Sequence, residues 1–217
     1  MIQLLGTSHV SPQSIKKVRE QVQHHEIIAV ELDRQRAQTL LNNETKKPSL
    51  LQLIRAVGLS GAIFAKIGHY VEKKIGASVG TTPGGEMKAA IYAAAQQKKM
   101  VALIDQPIQI TLQRFSKSFT WRVKLKLLKT VFKKTKVRFD VREEPDEETI
   151  KELLIYVEQA VPELAEVLIH ERNRYMAQRL VELQERHPDK SILAVVGAGH
   201  LPGLREELNT RKEEISP

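Results

Sequence analysis

Short apolar runs alternate with longer amphipathic segments along the chain, a pattern typical of α/β proteins. Four of these runs predict buried strands, at residues 2–5, 26–31, 100–104 and 192–196. After the first run, Ser11 and Pro12 form a helix start signal, and the apolar residues that follow have helical spacing. A strand, a helix and a second strand within about 30 residues form a βαβ unit, which requires parallel pairing. The sequence therefore predicts an α/β fold with a central, largely parallel sheet and flanking helices.

Longer segments predict helices outside this unit. Glycines interrupt an apolar segment at about 48–80, which we interpret as a loosely helical insertion. Another helix follows Pro83, and a basic amphipathic helix is predicted at about 111–138. A further helix runs from Pro162 to about His187.

Composition adds limits to this fold. At 217 residues we expect one domain over residues 1–205 and a charged tail, residues 206–217. The charged stretch from Leu204 to Pro217 is expected to fray. The absence of cysteine excludes disulfides and fits a reducing compartment. We expect no secretory signal, because the N-terminus enters a strand pattern directly. We expect no membrane span, because no apolar run approaches about 18 residues.

The net charge of +8 comes from one segment. Between Asp105 and Asp140 the chain has ten basic residues and no acidic one. The other 24 basic and 26 acidic residues nearly balance. The surplus of basic residues therefore belongs to one segment, the predicted basic helix.

Polar residues that can carry chemistry follow the predicted strands. The first and last strands each end in a Gly-x-x-His motif, which contributes His9 and His200. Glu31 ends the second strand and Asp105 follows the third. Because ligands bind outside the carboxyl ends of parallel strands, we expect these residues at one edge of the sheet.

Two imidazoles and a carboxylate form a ligand set for a catalytic metal ion, with one position open for water. Such an ion lowers the pKa of bound water and polarises a carbonyl group. Structural explanations stay open for the same residues. Glu31 would interact with a helix dipole, Asp105 would form an Asx turn before Pro107, and the two histidines would lie in unrelated turns.

The helix that ends near His187 carries a second polar group, the segment ERNRY at 171–175. Glu171 and Tyr175 lie four residues apart and share one helix face. The segment is either a solvated face or a source of an acid or an anion-binding arginine for the site.

Seven motifs occur in order: GTSHVS at 6–11, AVELD at 29–33, PGGEM at 83–87, LID at 103–105, ITLQR at 110–114, ERNRYM at 171–176 and VVGAGH at 195–200. Together they resemble the TraB/PrgY family, which is related to the Tiki metalloproteases and more remotely to the ChaN and erythromycin esterase groups. The resemblance covers about residues 1–205.

The resemblance implies an α/β fold around a mixed sheet, with both Gly-x-x-His motifs at the site. For the Tiki branch it implies a manganese- or cobalt-dependent peptidase, with zinc as a further option. Carried over to matching positions, it gives His9, Glu31 and His200 as metal ligands. The remaining candidate catalytic, substrate-binding or positioning residues are Glu86, Asp105, Glu171 and Arg172.

Two departures from the family pattern lie near the site. Many members have Asp-Arg-Asp where this chain has Asp105-Gln106-Pro107, and Glu-Arg-Asp where it has Glu171-Arg172-Asn173. These changes remove one arginine and two acids but leave the histidine–glutamate set intact. Many relatives also continue into a membrane-spanning C-terminal region, so the resemblance implies a membrane anchor if the native chain continues in the same way.

The first functional hypothesis is a metal-dependent hydrolase that cleaves peptides with metal-activated water. Glu31 would act as ligand or base, and Arg172 would hold an anionic group of the substrate. The alternative is a protein that binds or sequesters a peptide without catalysis, since PrgY-like members limit a peptide pheromone and either proteolysis or sequestration would explain that effect.

A third interpretation concerns the basic helix. With Phe119 and Trp121 it would contact anionic lipid, and its charge also suits nucleic acid, although we expect no specific nucleic-acid recognition. A solvated cationic helix, packed by its apolar stripe, is the simpler alternative. The chain is accordingly expected in the cytoplasm or at a membrane surface, and the sequence leaves its oligomeric state open.

Overall fold

The structure is a computed structural model of the 217-residue chain. It describes residues 1–7, 12–42, 84–118 and 158–215, with shorter pieces at 51–52, 54–56, 58, 120–121, 123 and 154–155. His9 lies outside the described residues, as do most of the predicted insertion at 48–80 and most of the predicted basic helix at 111–138.

Strands and helices alternate along the described residues. The strands are β1 (Ile2–Thr7), β2 (Ile27–Val30), β3 (Met100–Leu103) and β4 (Ile192–Gly197). The α-helices are α1 (Pro12–Val22), α2 (Arg34–Asn42), α3 (Gly85–Gln96), α4 (Ile108–Ser118), α5 (Pro162–Ala165), α6 (Glu171–Arg186) and α7 (Leu201–Ile215). A π-helical turn, Glu166–His170, joins α5 to α6, and a 3-10 turn, Ala198–His200, joins β4 to α7.

The four strands form one parallel sheet with the order β1-β4-β2-β3. β4 lies in the interior, where Ile192 is opposite Ile2 of β1 and Ile27 of β2. β3 pairs with β2 and forms an edge. The α/β prediction is confirmed, and all pairings among the described strands are parallel. The order places the carboxyl ends of β4 and β2 side by side.

Alternate residues of the strands pack against helices on the two faces of the sheet. On one face, Val30 lies in an apolar cluster with Val18 of α1 and Met87 of α3. On the other face, Ala29 lies in a cluster with Met176 of α6 and with residues of α7. The sheet is therefore the middle layer of three, and its strands are apolar on both faces.

Helix boundaries differ from the sequence predictions at three places. The basic helix starts at Ile108, directly after Pro107, instead of near residue 111. The helix predicted from Pro162 to His187 is interrupted by the π-helical turn. Residues from Leu204 onward, which were expected to fray, continue α7 to Ile215, because Leu204 and Leu208 are buried against the sheet and α6. Among the described residues, no helix has the length and apolar character needed to cross a membrane.

Candidate functional site

Glu31 and His200 meet at the carboxyl edge of the sheet. Glu31 directly follows β2, and His200 ends the 3-10 turn after the neighbouring strand β4. Glu31 Oε1 lies 3.4 Å from His200 Nε2, and both residues are buried. The strand order thus brings together a carboxylate and an imidazole that are far apart in the sequence.

The other carboxylate oxygen of Glu31 is held by the glycine turn after β4. Glu31 Oε2 accepts the N–H of Gly197 at 2.6 Å. Glu31 N donates to Val195 O at 3.1 Å, so backbone pairing continues one residue beyond β2. The Gly-x-x-His motif therefore contacts Glu31 twice, through the backbone of its first residue and the side chain of its last.

His200 is held at its other ring nitrogen by Asn173 of α6. Its Nδ1 lies 2.8 Å from Asn173 Oδ1, and the asparagine is only 2% exposed. An amide oxygen can only accept, so Nδ1 carries the proton and Nε2 faces Glu31. Gly203 of α7 leaves room for this amide, because a Cβ at that position would lie 2.4 Å from Asn173 Nδ2.

Arg172 of α6 bridges two carboxylates. Its Nη2 contacts Glu31 Oε1 and lies 2.6 Å from Asp105 Oδ2, and its Nε lies 3.0 Å from Asp105 Oδ1. Its Nη1 donates to Leu168 O, in the π-helical turn, at 3.3 Å. The planar fork of a guanidinium makes these contacts together, which a lysine ammonium could not do.

Arg36 of α2, which the sequence did not single out, completes the group. Its Nη2 contacts Asp105 Oδ2, and its Nε lies 2.6 Å from Asp33 Oδ2. Asp33, and not Glu31, caps α2, because its Oδ1 accepts the N–H groups of Gln35 and Arg36. The Asp-x-x-Arg spacing at a helix start is the sequence signal for this pair. We refer to Glu31, Asp33, Asp105, Arg36 and Arg172 as the carboxylate–arginine cluster.

Charge interactions within the cluster keep the Asp105 carboxylate ionised. Burial acts to raise the pKa of Asp105, but the guanidinium groups of Arg172 and Arg36 outweigh burial and hold that pKa below its ordinary value. Burial acts to lower the pKa of Arg172, but the carboxylates of Glu31 and Asp105 outweigh it and raise that pKa. The cluster is thus a network of ion pairs, with three carboxylates and two guanidinium groups.

Two further predicted site residues that the structure describes, Glu171 and Glu86, are not part of this cluster. Glu171 faces α4: its Oε1 lies 2.7 Å from Arg114 Nη1, and its Oε2 is buried without a hydrogen-bond partner among the described residues. Glu86 is buried in the first turn of α3, which packs on the opposite face of the sheet from α6. His9 lies outside the described residues, and within those residues no three histidine or acidic side chains converge into a group that could hold a metal ion.

The parallel sheet with helices on both faces defines an α/β protein, and the acidic–imidazole pair at its carboxyl edge is the candidate site. The chain belongs to the TraB/PrgY/gumN family, whose sequence profile matches residues 1–216. The match confirms the resemblance that the seven ordered motifs indicated.

Relatives from distant organisms match nearly all of the chain. An uncharacterized protein of Methanocaldococcus jannaschii is 35% identical over 208 residues, which cover 94% of this chain and 52% of the relative. TraB domain-containing proteins of Mus musculus and Homo sapiens are 28% and 27% identical over 238 residues, which cover 96% of this chain and 63% of each relative. The chain therefore spans about half of the archaeal relative and less than two thirds of the mammalian ones.

Proposed function

We propose that this chain is a metal-dependent hydrolase whose substrates are peptides. The observation that carries this proposal is the approach of Glu31 Oε1 to His200 Nε2 at the carboxyl edge of the sheet, where α/β proteins bind their ligands. The family resemblance adds His9 as a third ligand. Its Gly-x-x-His motif follows β1, the strand on the other side of β4.

The donor chemistry of Glu31 and His200 fits a divalent metal ion. With Nδ1 donating to Asn173 Oδ1, Nε2 of a neutral His200 imidazole has a lone pair available for a metal ion, and it lies 3.4 Å from Glu31 Oε1. Imidazole and carboxylate together suit manganese, cobalt or zinc, and an oxygen on the distal ring nitrogen is common around ligand histidines.

The residues of the site have separate roles in this proposal. Glu31 and His200, with His9, would hold the ion, which when bound supplies the Lewis acidity that activates water and polarises a carbonyl group. Asp105 fixes the guanidinium of Arg172, and Arg172 orients the Glu31 carboxylate. Because Arg172 is occupied by these two carboxylates, we assign it a positioning role instead of the substrate-binding role expected from the sequence.

A protein that binds or sequesters a peptide without catalysis is the second candidate. The ion pair between Arg172 and Glu31 favours it, because a guanidinium on Glu31 Oε1 competes with a metal ion for that oxygen. In this case the carboxylate–arginine cluster only stabilises the strand ends, and the surrounding surface binds the peptide.

Metal content measured by mass spectrometry separates the two candidates. The purified chain is incubated with manganese, cobalt or zinc, desalted, and compared with His9→Ala and His200→Ala. His24→Ala is the matched control, because His24 is exposed in the turn after α1, at the amino end of the sheet. Each protein is then tested for hydrolysis of a fluorogenic peptide library.

We expect about one equivalent of metal in the unsubstituted chain and in the control, and loss of that metal in both site variants. Peptide hydrolysis should follow the metal content. Equal metal content in all four proteins would place the ion elsewhere. No bound metal in any protein after incubation would favour the binding protein.

A further inference from the structure

The outer edge of β3 presents backbone hydrogen-bonding groups that are not used by the sheet. Met100 and Ile104 donate their N–H groups to the β2 side, at 3.3 and 3.1 Å. Because backbone groups alternate in direction along a strand, the N–H and C=O groups of Val101 and Leu103 point away from β2. Neither residue has a backbone partner on that side among the described residues. The edge can therefore accept an additional strand.

A cavity of about 720 Å³ lies against this edge. Val101 and Leu103 line one side of it, and Tyr175 and Arg179 of α6 line another. The same cavity reaches Asp105, a member of the carboxylate–arginine cluster. Its volume falls within the range of about 300–1,000 Å³ that is typical of ligand sites. A segment bound at the edge would thus lead directly to the candidate site.

The charges around this cavity favour an acidic ligand. Arg34, at the start of α2, is exposed and makes no ion pair with a described residue. Arg179 contributes a second guanidinium, whose Nη1 lies 2.7 Å from Glu182 Oε2. The two acidic residues that line the cavity, Asp33 and Asp105, are already paired with arginines of the cluster. A negative side chain on the ligand would therefore meet an available cation.

We propose that the free edge of β3 binds an extended peptide segment with acidic side chains, as a fifth strand of the described sheet. The peptide backbone hydrogen-bonds to Val101 and Leu103, alternate side chains enter the cavity, and Arg34 pairs with one of the acidic groups. The interpretation of this peptide as a substrate rests on the proposed function, because the bound segment would lead past Asp105 to Glu31 and His200. Binding itself requires no metal ion.

Fluorescence polarisation tests the charge preference. The probe is a fluorescein-labelled peptide of Glu, Thr and Val residues, and the matched peptide has Lys in place of each Glu. Arg34→Glu reverses the charge at the cavity and, near a helix N-terminus, is compatible with α2. Lys17→Glu makes the same charge change on an exposed position of α1, which packs on the other face of the sheet from α6.

We expect saturable binding of the acidic peptide to the unsubstituted chain and to Lys17→Glu. Arg34→Glu should weaken that binding by about tenfold or more and should favour the lysine peptide instead. Equal binding of both peptides, or an unchanged preference in Arg34→Glu, would overturn the proposal.

Val101→Pro tests the strand pairing. Proline removes an N–H that points away from β2 and leaves the pairing of β2 with β3 in place, so an edge strand tolerates it. We expect the variant to retain its circular dichroism spectrum and to lose binding of the acidic peptide. If it does not fold, Arg34→Glu still decides the question.

Two further measurements complete the design. All binding is measured in EDTA, so a failed binding experiment and a failed metal experiment can be told apart. Sedimentation shows whether the edge is instead covered by a second copy of the chain. A dimer that becomes monomeric in Val101→Pro and does not dissociate with the acidic peptide would contradict the proposal.

Discussion

The amide oxygen of Asn173 lies 2.8 Å from Nδ1 of His200 and fixes the orientation of the imidazole. Asn173 belongs to α6, whereas His200 follows β4, so the bond links a helix to a strand end. This hydrogen bond occupies Nδ1, so the imidazole presents Nε2 to Glu31. The position of His200 in the site therefore depends on a residue of a different element.

Replacing Asn173 by alanine should weaken metal binding by about 10- to 100-fold, because the imidazole loses the oxygen that orients it. Isothermal titration calorimetry with manganese or zinc measures the affinity. Asn173→Asp keeps an oxygen at the same position, and it should retain most of the affinity. Equal weakening in both variants would show that orientation by an acceptor oxygen is not the cause.

Gly203→Ala should lower the free energy of unfolding by about 1 kcal/mol relative to Gly199→Ala, as measured by urea denaturation. A Cβ at 203 forces Asn173 to move, and this costs the bond to His200. Gly199 is the matched control, because a Cβ there meets nothing within 4 Å. Equal stability of the two variants would mean that Asn173 shifts without losing its partner.

Arg172→Met should destabilise the fold by about 3–5 kcal/mol, because it leaves the buried carboxylates of Glu31 and Asp105 without their shared cation. Arg174→Met, two residues away on α6, is the control. Its ion pair with Glu166 is about half exposed, and its loss should cost less than about 1 kcal/mol. Urea denaturation at neutral pH measures both. A similar loss of unfolding free energy in the two variants would contradict the explanation that burial makes the ion pairs of Arg172 more important than that of Arg174.

Acid should remove the stabilisation that Asp105 provides. The pKa of Asp105 is lower in the folded chain than its ordinary value, so the ionised carboxylate stabilises the fold above about pH 3.9. This contribution decreases as the pH falls through the lowered folded pKa. At pH 7, Asp105→Asn should be less stable than the unsubstituted chain by about 2 kcal/mol.

The difference between Asp105→Asn and the unsubstituted chain should shrink when urea denaturation is repeated at decreasing pH below about 3.9. Asp189→Asn, on an exposed turn residue, provides the control for the loss of one carboxylate. If the difference for Asp105→Asn stays constant across this pH range, the carboxylate is not the source of the stabilisation.

The strands could be predicted from the sequence because a strand buried on both faces is apolar along its whole length. The predicted run at 192–196 corresponds to β4, which extends one residue further, to Gly197. The order of the strands could not be predicted, because pairing between β4 and β2 joins segments that are distant in the sequence. It is this order that places His200 beside Glu31.

The candidate site was only partly accessible to sequence reasoning. Polar residues that follow apolar runs indicate Glu31, Asp105 and His200, and for His200 a glycine motif adds to this signal. The partners Arg36 and Asn173 are selected by contacts across the fold. The Asp-x-x-Arg spacing indicates only the pair of Arg36 with Asp33, and no local signal indicates the contacts of Arg36 with Asp105 or of Asn173 with His200. Arg172 was predicted as a site residue, but its pairing with two carboxylates required the relative position of α6 and the sheet.

The π-helical turn at Glu166–His170 makes the length of this segment as important as its composition. A π turn is equivalent to one residue inserted into an α-helix, and each residue rotates the helix by about 100°. The turn thereby sets the angle between Leu164, which packs near α4, and Arg172, which contacts the sheet edge. Deleting one residue here would leave every side chain of the site in the sequence, yet aim Arg172 and Asn173 away from their partners. A family member with such a deletion could thus lose this site through the changed rotation of the helix alone, without substitution of any site residue.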